Sequence, residues 1–204
     1  MQKGVTQWLN QNYLSVQHAR QARMQKPFAH AVLKEFFSTK RIQQVASALR
    51  KERFYEKESD LFAFQQTNDL KKTKKPALKE LYRFFSSAQF TQYIGKLMRT
   101  KLRKSVDMAG FVYDSCDYLL PHDDRLEGRK VAYVLNLSRG FKKRDGGTLE
   151  LFATKKGRPV RVVKQISPRF NTLVLFNVTP KSFHHVREVV SNKKRVSIGG
   201  WFHG

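Results

Sequence analysis

Residues 111–137 read FVYDSCDYLLPHDDRLEGRKVAYVLNL. Two runs rich in aromatic, aliphatic and β-branched residues, 111–120 and 130–137, flank a short polar segment that carries His122, Asp123 and Asp124. Such residues suit a pleated, half-buried surface, and the runs have the length of strands. The same texture continues downstream as TLELFA (148–153), PVRVVKQI (159–166), TLVLFNV (172–178), SFHHVREVV (182–190) and RVSIGGWF (195–202). Turn residues separate the runs, among them Asp145-Gly146-Gly147 and Ser191-Asn192. Seven or more short strands at this spacing predict an antiparallel sandwich or barrel.

Upstream the periodicity changes. Val5, Trp8, Leu9, Tyr13 and Val16 lie near helical spacing; Ile42, Val45, Ala46 and Leu49 follow i, i+3, i+4, i+7, and Leu78, Leu81, Tyr82 and Phe85 repeat it. Ser87 is placed to cap a further helix carrying Phe90, Ile94 and Leu97. These stripes are read as core-facing helix faces. Leu61–Gln66 (LFAFQQ) interrupts them as a strand, and residues 67–76 (TNDLKKTKKP) are read as a basic, solvated loop, with contact to an anionic partner as the alternative. No Gly/Ser/Pro linker and no repeat divides the chain, so one domain over 1–204 is expected, with 1–105 as mainly helical support and 106–204 as the β core.

The 204 residues hold 40 Lys and Arg against 16 Asp and Glu, a formal net charge of +24. Such a chain attracts polyanions in a salt-dependent way, and nucleic acid or a ribosomal particle is the partner this charge suggests. Neither zinc-finger spacing nor an RNP-type aromatic motif is present. Residues 101–150 hold eight of the 16 acids, whereas 151–204 hold only Glu188, so the acids concentrate around the His-Asp segment. The single cysteine, Cys116, excludes an internal disulfide and a Cys-ligated structural zinc. No apolar stretch is long enough to span a membrane, and the N-terminus lacks the apolar core of a secretory signal. A cytoplasmic or nuclear location is expected, with a mitochondrial one as the alternative suggested by the basic, acid-poor N-terminus.

In an extended strand, residues i and i+2 share a face, so His122 and Asp124 can converge while Asp123 points away. By itself this pair is common in surface turns. Two downstream features raise its weight. The run SFHHVREVV supplies further histidine, and two His with one carboxylate and three open positions is the facial triad of non-haem iron(II) oxygenases. Arg195 then follows in RVSIGGWFHG and shares a strand face with Ser197. An arginine fork with a neighbouring hydroxyl suits a carboxylate such as the distal one of 2-oxoglutarate.

The chain beyond roughly residue 26 resembles the 2-oxoglutarate- and iron(II)-dependent prolyl hydroxylases that modify a decoding-centre protein of the small ribosomal subunit. The resemblance is carried by Y-x-x-x-D-x-L-L-x-H-D-D (113–124), LEGRKVAYVLNL, GGTLELF, ISPRFNTLVLFNV, SFHHVREVV and RVSIGGWFHG, and upstream by KPFAHAVLKEFF and FYEKESDLFAFQQTNDL. It implies a double-stranded β-helix (jelly-roll), mainly β with a helical N-terminal layer. It implies His122, Asp124 and His184 as iron(II) ligands, with His185 as a variable neighbour, and Arg195 as the anchor of 2-oxoglutarate. Tyr113 matches a tyrosine lining the cosubstrate and substrate pocket, and Ser197 stands beside the anchor. The cosubstrates implied are 2-oxoglutarate and dioxygen, with ascorbate supportive, and the implied reaction is hydroxylation of a prolyl residue of a ribosomal protein.

Two positions depart from the family pattern. Asn136 stands where a tyrosine usually helps bind 2-oxoglutarate, and Phe141 replaces a tryptophan before the Gly-Gly hairpin. Many eukaryotic members continue into a second barrel after GWFHG, where this sequence ends; a single catalytic domain is therefore expected, and no oligomeric state is assigned. Competing readings are a hydroxylase of another protein or of a free amino acid, and a non-catalytic RNA- or ribosome-binding protein with a vestigial barrel.

Overall fold

The computed structural model describes residues 3–204, with side chains from residue 6 onward. In chain order the elements are α1 (Lys3–Trp8), α2 (Val16–Gln21), β1 (Arg23–Met24), β2 (His30–Lys34), α3 (Thr39–Leu49), β3 (Phe54–Ser59), β4 (Phe62–Thr67), α4 (Pro76–Phe85) and α5 (Ala88–Met98). The β-rich part follows as β5 (Ala109–Tyr113), β6 (Tyr118–His122), β7 (Arg129–Asn136), β8 (Leu149–Lys155), β9 (Arg158–Ile166), β10 (Thr172–Asn177), β11 (His184–Val186) and β12 (Arg195–His203). Short 3₁₀ turns occupy Gln11–Tyr13, Leu70–Lys72 and Lys143–Asp145.

The strands form one antiparallel sheet in the order β1-β2-β10-β7-β12-β5-β4-β6-β11-β8-β9, with β3 paired to β4. The sheet curls into a half-barrel whose two faces are built by strict alternation. On β7, Val131, Tyr133 and Leu135 pack towards the helices, while Ala132 and Val134 face the barrel interior. On β10, Leu173 and Leu175 take the helical side, and Val174 and Phe176 the interior. Both faces are covered, which is why these strands read as continuous apolar runs.

The helical layer closes the outer face. α3 buries Ile42, Val45, Ala46 and Leu49, the four positions read from its stripe. α4 starts with Pro76 in its first turn and buries Phe84 together with Leu78, Leu81 and Phe85, while Tyr82 is only half-buried. The Ser87 hydroxyl accepts from the Phe90 N–H and caps α5 as expected. The N-terminal stripe does not make one helix. Asn10 accepts from the Asn12 N–H and Ser15 from the Gln17 N–H, so each begins a new short element. Side chains that compete for backbone groups in this way break a helix even where the apolar spacing continues.

Among the described residues up to 105 helix predominates, and the same segment also supplies the strands β1–β4. β2 pairs along β10 from Thr172↔Lys34 to Phe176↔His30. β4 bridges the two halves of the half-barrel, pairing with β5 at Gln65↔Val112 and with β6 at Phe62↔Leu119. The run HAVLK is too short and too apolar for a surface helix and is satisfied only when buried between the sheet's two covers. Gly146 and Gly147 both have positive φ, 72° and 64°. A Cβ on Gly146 would fall on the Glu188 carbonyl, so this close approach of the β8 entry to the end of β11 requires glycine.

Candidate metal centre

His122 ends β6 and His184 opens β11, and the two are directly paired across the strands. Their rings lie 4.2 Å apart, centroid to centroid. Asp124 stands beyond the end of β6 with φ 64°. The convergence of His122 and Asp124 is therefore a property of the loop after the strand, not of strand alternation. A left-handed aspartate is tolerated because its short polar side chain bonds locally. Asp123 points elsewhere, pairing with Arg125 at 2.7 Å.

The Nε2 atoms of His122 and His184 each lie 3.3 Å from a different oxygen of the Asp124 carboxylate. The ligand atoms of all three residues lie within 4.8 Å of one another. On the far side of each ring, Nδ1–H donates to a backbone carbonyl at 2.8 Å, from His122 to Leu120 and from His184 to Ser182. A carbonyl can only accept, so Nδ1 carries a proton in each ring and Nε2 is the atom turned to the centre, as metal-binding histidines require. Burial opposes the charge on Asp124, but its bonds to both histidines outweigh that and hold the carboxyl well below the usual carboxylate range. Burial likewise works to lower the His122 imidazole, and Asp124 reverses the sign and raises it. Two imidazole Nε2 atoms and a carboxylate on one side of a common point, with the rest of that point open to a cavity, form a donor set that fits iron(II).

That cavity, about 260 Å³, is lined by the triad, by Tyr113, Arg195 and Ser197, and by apolar walls from Phe62, Phe64, Leu119 and Trp201. Arg195 opens β12 opposite Tyr113 and is only 2% exposed. Its guanidinium sits over the Tyr113 ring at 4.9 Å, Nη1 donates to the Ser197 hydroxyl at 3.4 Å, and Nε has no partner among the described residues. Among the described residues no carboxylate pairs with it. Burial pulls Arg195 below its ordinary value and pushes the Tyr113 hydroxyl up to about 12. A buried cation without an anion is costly, so the site is built to receive one.

Asn136 pairs with Ser197 on one side and with Thr172 on the other, and is 2% exposed. Among the described residues neither its Oδ1 nor the Thr172 hydroxyl has a partner. It stands one strand beyond Ser197 and does not itself line the cavity. Phe141 packs with the interior cluster and under the Lys193 ammonium at 5.9 Å. His185 turns away from the centre and bonds Glu150 at 2.9 Å, as two adjacent strand residues must face opposite ways.

Sequence reading missed several contributors. The Ser182 hydroxyl donates to the Asp123 carbonyl at 3.0 Å, while its carbonyl holds His184, so it ties the two ligand-bearing segments together. Arg129 lies over Trp201 at 3.3 Å and donates to the Asp124 carbonyl at 3.5 Å. Phe62, Phe64 and Gln66, alternating along β4, face the cavity. The period-2 pattern in LFAFQQ was the available signal for those three, but nothing local says which cavity a strand borders.

Comparison with known proteins agrees with this geometry. The profile of the 2OG-Fe(II) oxygenase superfamily matches residues 108–203. The chain is 40% identical over 181 residues to the prolyl 3-hydroxylase OGFOD1 of Xenopus laevis, covering 87% of this chain and 35% of that protein. It is 34% identical over 175 residues to the prolyl 3-hydroxylase sudestada1 of Drosophila melanogaster, covering 78% and 31%. The chain thus spans about a third of the length of these relatives. Among solved structures, a Pseudomonas putida prolyl-4-hydroxylase superposes with TM-score 0.72 at 19% identity, covering 85% of this chain and 91% of that one. A Trichoplax adhaerens prolyl hydroxylase in complex with a peptide fragment superposes with TM-score 0.69 at 16% identity, covering 85% and 83%. These two likenesses speak for the jelly-roll fold.

Proposed function

Residues 108–203 belong to the 2OG-Fe(II) oxygenase superfamily, and on that premise we propose that this chain is an iron(II)- and 2-oxoglutarate-dependent protein hydroxylase. The observation that carries the reading is the buried, anion-free Arg195 sharing one small cavity with the His122–Asp124–His184 triad. A metal donor set alone fits many reactions. A donor set with a buried guanidinium in the same cavity fits a bidentate keto acid whose far end is a carboxylate.

In this reading His122, Asp124 and His184 hold the metal, and their Nδ1 bonds and the Ser182 tie fix its ligands in place. Arg195 grips the distal carboxylate of 2-oxoglutarate, with the Ser197 hydroxyl beside it. Asn136 and Thr172 offer further unpartnered polar atoms just behind that end. The Phe62, Phe64 and Trp201 walls exclude water and give a substrate ring an apolar seat. Bound iron(II) would supply dioxygen activation coupled to decarboxylation of the keto acid. Every protein step is one of orientation, charge matching and water exclusion.

The substrate proposed is a prolyl residue of a small-subunit ribosomal protein. The support is the prolyl hydroxylase naming of the relatives and the charge of +24, which favours an RNA-rich target particle. The test is succinate formation from 2-oxoglutarate with iron(II) and ascorbate, with and without ribosomal-protein peptides, in wild type and His184→Ala. Peptide-stimulated succinate that is lost in the variant, with one added oxygen on proline by mass spectrometry, is the expected result. Oxygen added only to another residue type would refute the prolyl assignment and keep the hydroxylase. Absence of triad-dependent turnover in folded, iron-loaded protein would refute the hydroxylase.

A further inference from the structure

On the helical face, outside the barrel, the segment between β4 and α4 and the link between α3 and β3 enclose a cleft of about 670 Å³. Its rim carries Lys51, Arg53, Lys72, Lys74 and Lys75. Among the described residues none of the five forms an ion pair. The two acids present are engaged in holding the loop. Glu52 accepts from the Thr73 hydroxyl, and Asp69 accepts from the Lys71 N–H at 2.9 Å. The loop is further anchored by Leu70, which is 2% exposed and whose N–H donates to the Met108 carbonyl at 2.8 Å. The cations therefore stand on a fixed frame rather than on a loose tail.

The cleft continues. A depression of about 500 Å³ between α3 and α4 shares Lys51 and Lys75 with it, and a third of about 400 Å³ shares Arg41 and Glu80 with the second and adds Arg83. Together they make a groove along the α3–α4 seam. α3 is 11 residues long, about 16 Å at 1.5 Å per residue, so the groove is long enough to follow a few nucleotides of a strand. Its cleft end joins the active cavity through β4, since Phe64 borders the cavity and Thr67 the cleft, about 10 Å apart at strand rise.

We propose that this groove binds single-stranded RNA through its phosphate backbone, seating the protein on an RNA-rich particle while the adjacent cavity takes up the target peptide. A concave row of cations on a rigid frame suits a linear polyanion: the five at the cleft have no ion pair among the described residues, while Arg41 further along is held by Glu80 at 2.8 Å. Trp8 and Phe84, the aromatic residues lining the groove, are buried, and contact through phosphates predicts weak sequence preference. The binding needs neither iron nor cosubstrate, so it stands or falls separately from the hydroxylase reading.

The test is fluorescence anisotropy of a labelled 12-nucleotide mixed-sequence RNA over a range of salt, beside a labelled glutamate 12-mer peptide. The groove variant is Lys51→Gln/Lys72→Gln/Lys74→Gln/Lys75→Gln. The control variant, Lys155→Gln/Lys156→Gln/Arg158→Gln/Arg161→Gln, removes equal charge from the exposed β8–β9 hairpin. The expected result is an affinity loss of at least about tenfold in the groove variant, a salt slope shallower by about 3 (0.7 per single-strand contact), and a far smaller loss in the control. A fourfold Lys→Arg variant at the groove positions should retain binding, which separates lost charge from lost fold. Equal losses in the two Gln variants would overturn the site in favour of net charge alone. Equal or tighter binding of the peptide with the same variant dependence would overturn RNA as the ligand class.

Discussion

The barrel interior and the α3–α4 groove use positive charge in opposite ways. Inside, one guanidinium, Arg195, is 2% exposed and faces a cavity of about 260 Å³. Outside, five cations rim a cleft of about 670 Å³ and all but Lys75 are exposed. In low dielectric a single misplaced charge is costly, so the interior site depends on individual atoms. In water each cation is screened and worth little alone, so the outer site acts through number and shape. One protein thus holds a site sensitive to every residue and another tolerant of any one change.

The largest expected effect lies at the centre of the interior site. Asp124→Ala removes the carboxylate that both histidines face, and iron-dependent succinate formation should fall below detection, with iron affinity by titration falling alongside. If the variant kept wild-type turnover, the contrast between the two regions would collapse. Next comes Arg195→Ala. Loss of a buried charge-assisted pair is worth about 2–5 kcal/mol, so the KM for 2-oxoglutarate should rise by roughly 30-fold or more in steady-state assays. Arg195→Lys should recover part of that, because a point charge replaces the fork.

Ser182→Ala sharpens the comparison one layer out, since it cuts the tie between the Asp123 and His184 segments without touching a ligand atom. Outer partners of metal ligands are typically worth about 10- to 100-fold in metal affinity, and iron titration of the variant should fall in that range while the fold, by circular dichroism, is kept. Glu150→Gln tests a buried pair that serves structure alone. Burial would raise the Glu150 carboxyl, but its bonds from His185 and Thr148 outweigh this and lower it. A lowered folded-state value stabilises above the unfolded carboxylate range and is lost as pH falls through the folded value. The thermal melting gap between wild type and Glu150→Gln should therefore be widest near neutral pH and close below about pH 4. The smallest effect belongs to the groove. Lys72→Gln alone should change stability by less than about 0.5 kcal/mol, and RNA affinity only a few-fold by anisotropy. A single-site loss as large as that of the fourfold variant would turn the groove into a site of the interior kind.

Much of this was legible before any coordinates. The seven β-rich runs from 111 to 202 all yield strands, although SFHHVREVV keeps only His184–Val186 in regular pairing. The helical stripes at α3 and α5 buried the residues their spacing marked, because amphipathic periodicity is a local property. His122, Asp124 and His184 were picked out by residue type and resemblance, and they meet in space. The reasoning behind His122 and Asp124 needed revision, because a positive φ at Asp124 rather than strand alternation turns its carboxylate inward. The strands β1–β4 were only partly legible, since HAVLK and FYEKES carry no period that separates them from loop or helix. Ser182 gave no signal at all, because its work is done through a hydroxyl and a carbonyl to residues far away in sequence.

By itself the sequence determined the alternation of apolar and polar residues, the net charge of +24 and the chemical identity of the His122–Asp124–His184 group and of Arg195. These follow from side-chain type and spacing, which a linear chain displays directly. Tertiary structure alone decided that Arg195 would be buried without a counter-ion, that His185 would turn to Glu150 rather than to the centre, and that two ends of one strand, β4, would border both the cavity and the basic cleft. Each of those depends on which distant segments pack together, and burial, unmet valence and shared walls exist only once they have.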